Sequence, residues 1–399
     1  MATVAARLAP SPSQPVNSPP QPQHLAFVDG LRGYAALYVL LLHSMMWGGW
    51  WPRVFPDPKL AVDVFMVVSG YLMVFHWNSR EYGPGFTPQA VSRFLLRRFF
   101  RIAPLYYLTI AFAYLAGPRY TAGLGFLAAQ SHRLPISFDP AAAATCFTPA
   151  NLFMHLTFLY GLTTNYHWPL PDWSISLEMQ FYLAFPLLLL AFRKVGYLSI
   201  CAAALPLGIL SLHAWPFFSH TPSLLTVKLP IFFIGMLAAE AHRTFKTHPP
   251  AAMAILFLTP FMALLGDARH PAVLIAVAGI MFFLASAREI HVLRHTLLWV
   301  ARFLGNRWTH FLADMSYGVY LVHFFFLSAY GWLLIEFPAL HTLRHFELVA
   351  LLIAINVAGS YGCAYFLHHS VEKPAIELGK RLIIRPRNKP ARVLVSASL

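Results

Sequence analysis

The stretch Asp29-Gly30-Leu31-Arg32-Gly33-Tyr34-Ala35-Ala36-Leu37 runs without a break into Tyr38-Val39-Leu40-Leu41-Leu42-His43. It opens the first strongly apolar segment of the chain and sets a guanidinium and an imidazole within it. Arg32 and His43 are separated by about three turns at 3.6 residues per turn, so both leave one face of one helix, about 16 Å apart along its axis. Ionisable groups inside a membrane helix are costly and mark functional positions by default. A cation at the mouth and an imidazole deep on the same face suggest a reaction site reached from one side of a bilayer.

The composition closes off most other classes. Of 399 residues, 58% are hydrophobic and 11% charged, with a mean hydropathy of +0.58, whereas a soluble protein carries about a quarter charged residues. Soluble packing cannot hide that much apolar surface, which leaves an all-α, polytopic membrane helical bundle. A β-barrel would show short alternating segments, and these are long and continuous. The net charge of +14 resides between the apolar segments. Basic residues there set topology and meet anionic headgroups, so the expected partner is the lipid bilayer and not nucleic acid. Cys146, Cys201 and Cys363 have no metal-ligand spacing, so neither a disulfide framework nor a metal site is expected.

Ten apolar segments stand out: about 31–51, 60–78, 104–127, 173–192, 196–212, 224–241, 251–266, 271–287, 308–335 and 347–369. They predict about ten transmembrane helices. Leu152 to Leu162 is too short to span and reads as re-entrant or interfacial. With the N-terminus in the cytoplasm, 22 of the 29 basic residues fall on the cytoplasmic side, so both termini are expected there. Trp47, Trp50 and Trp51, with Trp168 and Trp173, then predict an aromatic belt at the outer interface. Residues 1–25 read as a disordered Pro/Ser-rich tail rather than a cleavable leader, 26–373 as the membrane domain, and 374–399 as a basic cytoplasmic tail.

Several polar side chains are predicted near the level of His43. Asp63 opens the second segment, where it either lines a site or simply favours a helix start; Ser69 follows within that segment. Ser174, Glu178 and Tyr182 repeat at i, i+4, i+8 and form one polar stripe. A carboxylate at the depth of Glu178 must pair or be protonated. His43 is its expected partner, since a carboxylate holds a general base in its working tautomer. His323, with Tyr320 and Ser316 on its face, reads equally as a substrate contact or as a structural hydrogen bond between helices. Arg98 and Arg101, at i, i+3 in the densest basic cluster, face one way. For them a phosphate-bearing ligand is the sharper alternative to lipid headgroups, because a guanidinium fork suits phosphate. Lys228 is expected to snorkel, and His368 and His369 carry no specific signal.

Six pieces in this order resemble the acyltransferase 3 family of integral-membrane O-acyltransferases. They are Asp29-Gly30-Leu31-Arg32-Gly33 with His43; Val62-Asp63-Val64-Phe65 with Ser69-Gly70; Arg98-Phe99-Phe100-Arg101 with Pro104; Trp173-Ser174-Ile175-Ser176-Leu177-Glu178 with Gln180-Phe181-Tyr182; Ser316-Tyr317 with Tyr320 and His323; and Glu372-Lys373-Pro374. The resemblance implies a ten-helix domain that moves an acyl group, commonly acetyl from acetyl-coenzyme A, onto a hydroxyl. It implies that His43 and Arg32 are central, with Glu178, Arg98 and Arg101 close behind. Where family members often carry two consecutive acids, this chain has Glu178-Met179, one carboxylate. An esterase-like domain after the membrane domain, and with it the long polysaccharide-modifying architecture, is not expected.

The expected chemistry therefore uses acyl-coenzyme A as co-substrate, with no bound cofactor. Its phosphates lie near Arg32, Arg98 and Arg101, while His43 takes a proton from the acceptor hydroxyl and Glu178 orients it. Direct transfer is preferred, and a covalent relay on Ser174 or Ser176 stays open. The rival classes are a transporter, or a transmembrane acyl carrier without its own acceptor specificity. The acceptor is a hydroxyl compound, with a slight lean to a small secondary metabolite. The membrane would be the endoplasmic reticulum in a eukaryote and the inner or plasma membrane in a bacterium. Oligomeric state is not legible in the sequence.

Overall fold

The computed structural model describes residues 25–383 apart from 51–54, 80–81, 83–84, 131–137, 140–142, 144, 165–169 and 267–269. Among the described residues the protein is helical, with no strand. Its first half comprises α1 (Ala26–Trp47), α2 (Lys59–Asn78), α3 (Pro88–Gln130), α4 (Pro149–Leu156), α5 (Trp173–Val195), α6 (Tyr197–Ala214) and α7 (Leu225–Phe245). The second half comprises α8 (Pro249–Leu256), α9 (Leu258–Leu265), α10 (Pro271–Ala285), α11 (Arg294–Leu304), α12 (Arg307–Glu336), α13 (His345–Leu367) and α14 (Lys373–Ile383).

Each of the ten predicted segments falls on helix. Seven helical stretches are long and apolar enough to cross a membrane: α2, α3, α5, α6, α7, α12, and α13 continued through α14. The protein is thus a multi-pass membrane protein. The other three segments are less regular. Arg32 and His43 dilute the apolarity of α1, segment 251–266 is divided into α8 and α9, and α10 has 15 residues, against about 20 for a perpendicular crossing.

Other sequence expectations are revised. The predicted segment 104–127 is only part of a longer helix, since α3 begins at Pro88 and runs through Pro104 for 43 residues. The Tyr317 hydroxyl donates to the carbonyl of Ile102 at 2.8 Å, tying α12 to α3 beside the proline. Trp47 does not join an interfacial belt: it is buried, edge-on to Phe138 and Phe324. Trp50 is exposed, while Trp51 and Trp168 lie outside the described residues, as do positions 1–24 and 384–399 of the two tails. Residues 374–383 are not a loose tail, since they lie in α14, which packs on α3. The 152–162 piece does stop short of a span, as α4 and one 3-10 turn at Leu159–Leu162.

Two close helix approaches set the frame. Along α1 and α12, Gly33 meets Leu312 and Ala313 while His43 meets His323. The partners rise together in number, so the helices run parallel. Where α2 crosses α7, a methyl group at Gly235 would lie 1.8 Å from the Val67 carbonyl oxygen. Small residues admit such backbone contact between membrane helices. Leu at position 235 forces the crossing apart, at about 1–3 kcal/mol or more. The expected result is a fall of several degrees in the unfolding temperature of the solubilised protein. An unchanged temperature would show that the crossing does not depend on this contact.

Candidate functional site

A cavity lies among α1, α2, α3, α5, α7 and α12. Nine of the polar residues singled out in the sequence are on its wall: Arg32, Ser69, Arg98, Arg101, Ser174, Glu178, Tyr182, Ser316 and Tyr320. Residues far apart in the chain are brought into contact here: Ser69 and Glu178 are 109 positions apart, and Ser174 and Tyr320 are 146 apart.

One end of the cavity is cationic. Arg101 is ion-paired with Glu372, which is almost completely buried and also sits 2.8 Å from Nδ1 of His368. Arg98 donates to the Tyr82 hydroxyl at 2.7 Å, and its guanidinium lies 5.8 Å from the centre of the Tyr182 ring. Arg32 has Asp29 one turn away at 3.9 Å, a loose contact. A guanidinium offers five N–H donors, so these partners orient the arginines without exhausting them. At mid-height Glu178 accepts hydrogen bonds from the Ser69 hydroxyl at 3.2 Å and from the Tyr182 hydroxyl. Farther along, the Tyr320 hydroxyl is 2.7 Å from Ser174 Oγ and also reaches the Pro171 carbonyl.

Past Tyr320 stands a pair of imidazoles. His43 Nδ1 and His323 Nε2 are 2.9 Å apart, the two rings meeting edge to edge with centroids 5.2 Å apart and planes 8° from parallel. Phe324 stands perpendicular to both. His323 has no exposed surface, while His43 keeps some. Neither ring is on the cavity wall itself, and Tyr320, whose ring centre is 6.0 Å from that of His323, stands between.

This arrangement corrects three sequence expectations. Glu178 does not pair with His43, because α5 packs on α2 and α3, where Glu178 meets Ser69, while α1 lies against α12. The partner of His43 is His323. Asp63 does not line the cavity, and Lys228 does not snorkel: the two form a nearly buried ion pair at 3.1 Å between α2 and α7.

Two buried clusters were missed. Asp172, immediately before α5, accepts from the Tyr106 hydroxyl at 2.8 Å and lies 3.4 Å from His155, and its carbonyl takes the Tyr160 hydroxyl at 2.6 Å. This cluster fixes the start of the helix that carries Ser174 and Glu178. The other is His368–Glu372, whose i, i+4 spacing was readable as a same-face pair.

The family model described as an acyltransferase domain matches residues 25–366. The chain is 34% identical over 155 residues to the Komagataeibacter xylinus protein named "Putative membrane-bound transacylase BcsY", covering 39% of this chain and 34% of that one. It is 26% identical over 208 residues to "Acyltransferase MdmB" of Streptomyces mycarofaciens, covering 48% and 46%. It is 25% identical over 346 residues to "Putative O-acetyltransferase SACOL0978" of Staphylococcus aureus (strain COL), covering 77% and 51%. The chain thus spans about a third to a half of the length of these relatives. No solved structure matches it.

The Asp63–Lys228 pair yields a test of its structural role. Removing one member of a buried pair costs about 3–5 kcal/mol, while replacing both by apolar groups is near neutral. Asp63→Leu should lower the unfolding temperature markedly, and adding Lys228→Met should restore most of it. Equal losses in the single and double variants would exclude a mutual pairing.

Proposed function

Because the chain belongs to the acyltransferase 3 family, its acyltransferase domain matching residues 25–366, we propose that it transfers an acyl group, acetyl by preference, from acyl-coenzyme A to a hydroxyl of an acceptor. The observation that carries this reading is the polarity of the cavity: three guanidinium groups at one end, and the His43–His323 pair one side chain beyond the other. The arrangement suits a ligand with phosphates at one end and a reactive thioester at the other.

In this reading ten spans place both termini and the arginine end in the cytoplasm, where coenzyme A is made, in accord with the basic residue distribution. The phosphates meet Arg32, Arg98 and Arg101 as charge-assisted, forked contacts. The pantetheine arm follows the cavity past Glu178 and Ser174, about 16 Å along α1. His43 removes the proton of the acceptor hydroxyl as its oxygen attacks the thioester carbonyl. The carbon–sulfur bond then breaks, and the thiolate recovers a proton from the imidazolium. Glu178, tied to Ser69 and Tyr182, shapes the passage of the donor and does not support the base. The acceptor is a hydroxyl compound, and a small secondary metabolite remains the preferred class.

His43→Ala should lower turnover by about 10²–10⁴, the usual loss for a positioned general base, in protein that still inserts and elutes as a folded species. Near-normal thioester consumption by such protein would end this mechanism.

Replacing Arg98 and Arg101 by Ala should raise the Michaelis constant for the donor. A hydrogen bond to a charged group is worth about 1.5–3 kcal/mol, so each lost contact corresponds to about tenfold or more. Lys at either position should rescue only partly, since an ammonium lacks the planar fork. Arginines that serve only topology would leave the donor constant of the correctly inserted variant unchanged. Activity in sealed vesicles with donor supplied on the far face alone would contradict cytoplasmic entry.

A further inference from the structure

The two rings of the histidine pair have different surroundings, and the difference fixes where the protons are. Nδ1 of His323 lies 2.8 Å from the carbonyl oxygen of Tyr320 and 3.2 Å from that of Val319, both in its own helix. A carbonyl oxygen only accepts, so Nδ1 of His323 must carry a hydrogen. The other nitrogen of that ring, Nε2, is the atom that faces His43 Nδ1 at 2.9 Å. A nitrogen–nitrogen contact of this length holds one proton between two lone pairs. In the neutral pair Nε2 of His323 has no hydrogen of its own, so the shared proton belongs to His43 Nδ1. The remaining nitrogen of His43, Nε2, is then left with a bare lone pair.

We propose that His323 is the positioning residue for His43, holding it in the Nδ1–H tautomer so that Nε2 is the base of the site. The proposal rests on the acyl-transfer reading above only for the identity of the reaction. Its geometry stands without it. The position usually filled by a carboxylate behind a catalytic imidazole is filled here by a second imidazole, itself anchored to two backbone carbonyls of α12. Phe324, perpendicular to both rings, and the parallel packing of α1 on α12 keep the pair in register. His43 is the more exposed of the two residues, and His323 is fully enclosed.

The proton then has a defined route. The acceptor O–H bond breaks as its proton passes to His43 Nε2, the new oxygen–carbon bond forms at the thioester carbonyl, and the carbon–sulfur bond breaks. The same proton goes from Nε2 to the departing thiolate. The proton between Nδ1 and His323 does not move, and both rings end as they began.

Three replacements of His323 separate this role from a merely structural one. Gln places an amide oxygen near the position of Nε2, where it can accept from His43 Nδ1–H. Asn places its amide near Nδ1, where it can satisfy the carbonyls of α12 but leaves His43 without an acceptor. Phe keeps the ring and removes both. The full-length protein in lipid nanodiscs is assayed by thiol release from acetyl-coenzyme A, with glycerol as the hydroxyl probe. Expected are a kcat within about tenfold of the parent for His323→Gln, losses of a hundredfold or more for His323→Asn and His323→Phe, and a donor Michaelis constant within twofold throughout. Activity kept by Asn and lost by Gln would overturn the proposal in favour of a helix-internal bond. The second measurement needs no turnover. In ¹⁵N-histidine-labelled protein, the signals absent from His43→Ala should report Nδ1 protonated and Nε2 unprotonated at neutral pH; the reverse assignment overturns the proposal. That tautomer in a protein that releases no thiol would uphold the proposal and remove the acyl-transfer reading instead.

Discussion

The parallel contact of α1 with α12 is the constraint on which the candidate site depends. Gly33 lets the two backbones approach where a side chain would collide with Leu312 and Ala313. Three turns farther along, that closeness brings the His43 and His323 rings within hydrogen-bond distance. The same helix face that carries His43 carries Arg32 at the cationic end of the cavity. A shift of one residue along this contact would separate the imidazoles, whatever the rest of the bundle did.

Around that axis the polar groups sort into those that build the frame and those that face the cavity. Asp63–Lys228, Asp172 with its tyrosines, and Glu372 with His368 are enclosed and paired within the frame. Such groups are tolerable in a low-dielectric interior only when paired. Arg32, Arg98, Glu178 and Ser174 instead border open volume. The frame groups act at one remove: Glu372 aims Arg101, and Asp172 settles the start of α5 ahead of Ser174.

Much of this was legible in the chain. Long apolar runs located every major helix, since hydrophobic length is the signal a bilayer imposes directly, and i, i+4 spacing put Ser174, Glu178 and Tyr182 on one stripe. Which stripe faces which was not legible. Glu178 and His43 sit at similar predicted depths, and depth alone could not tell that α5 turns its carboxylate toward α2. Lys228 near a helix end looked like a snorkelling residue because sequence shows one helix at a time, whereas its partner Asp63 is on another. His323 could be read as a contact or as a strut, and the geometry makes it a neighbour of His43, a relation between positions 280 residues apart.

That separation has a consequence for how the protein is made. Of the described helices α1 leaves the ribosome ahead of the rest, carrying a guanidinium and an imidazole. Its main packing partner is synthesised 280 residues later. At about 5–20 residues per second, the interval is roughly a quarter of a minute to a minute. Through that time α1 must hold its polar face against water, lipid headgroups or the insertion machinery. The helix that defines the reaction centre is therefore among the first to be made and among the last to be completed, and a chain that stops before α12 has an α1 without its principal neighbour.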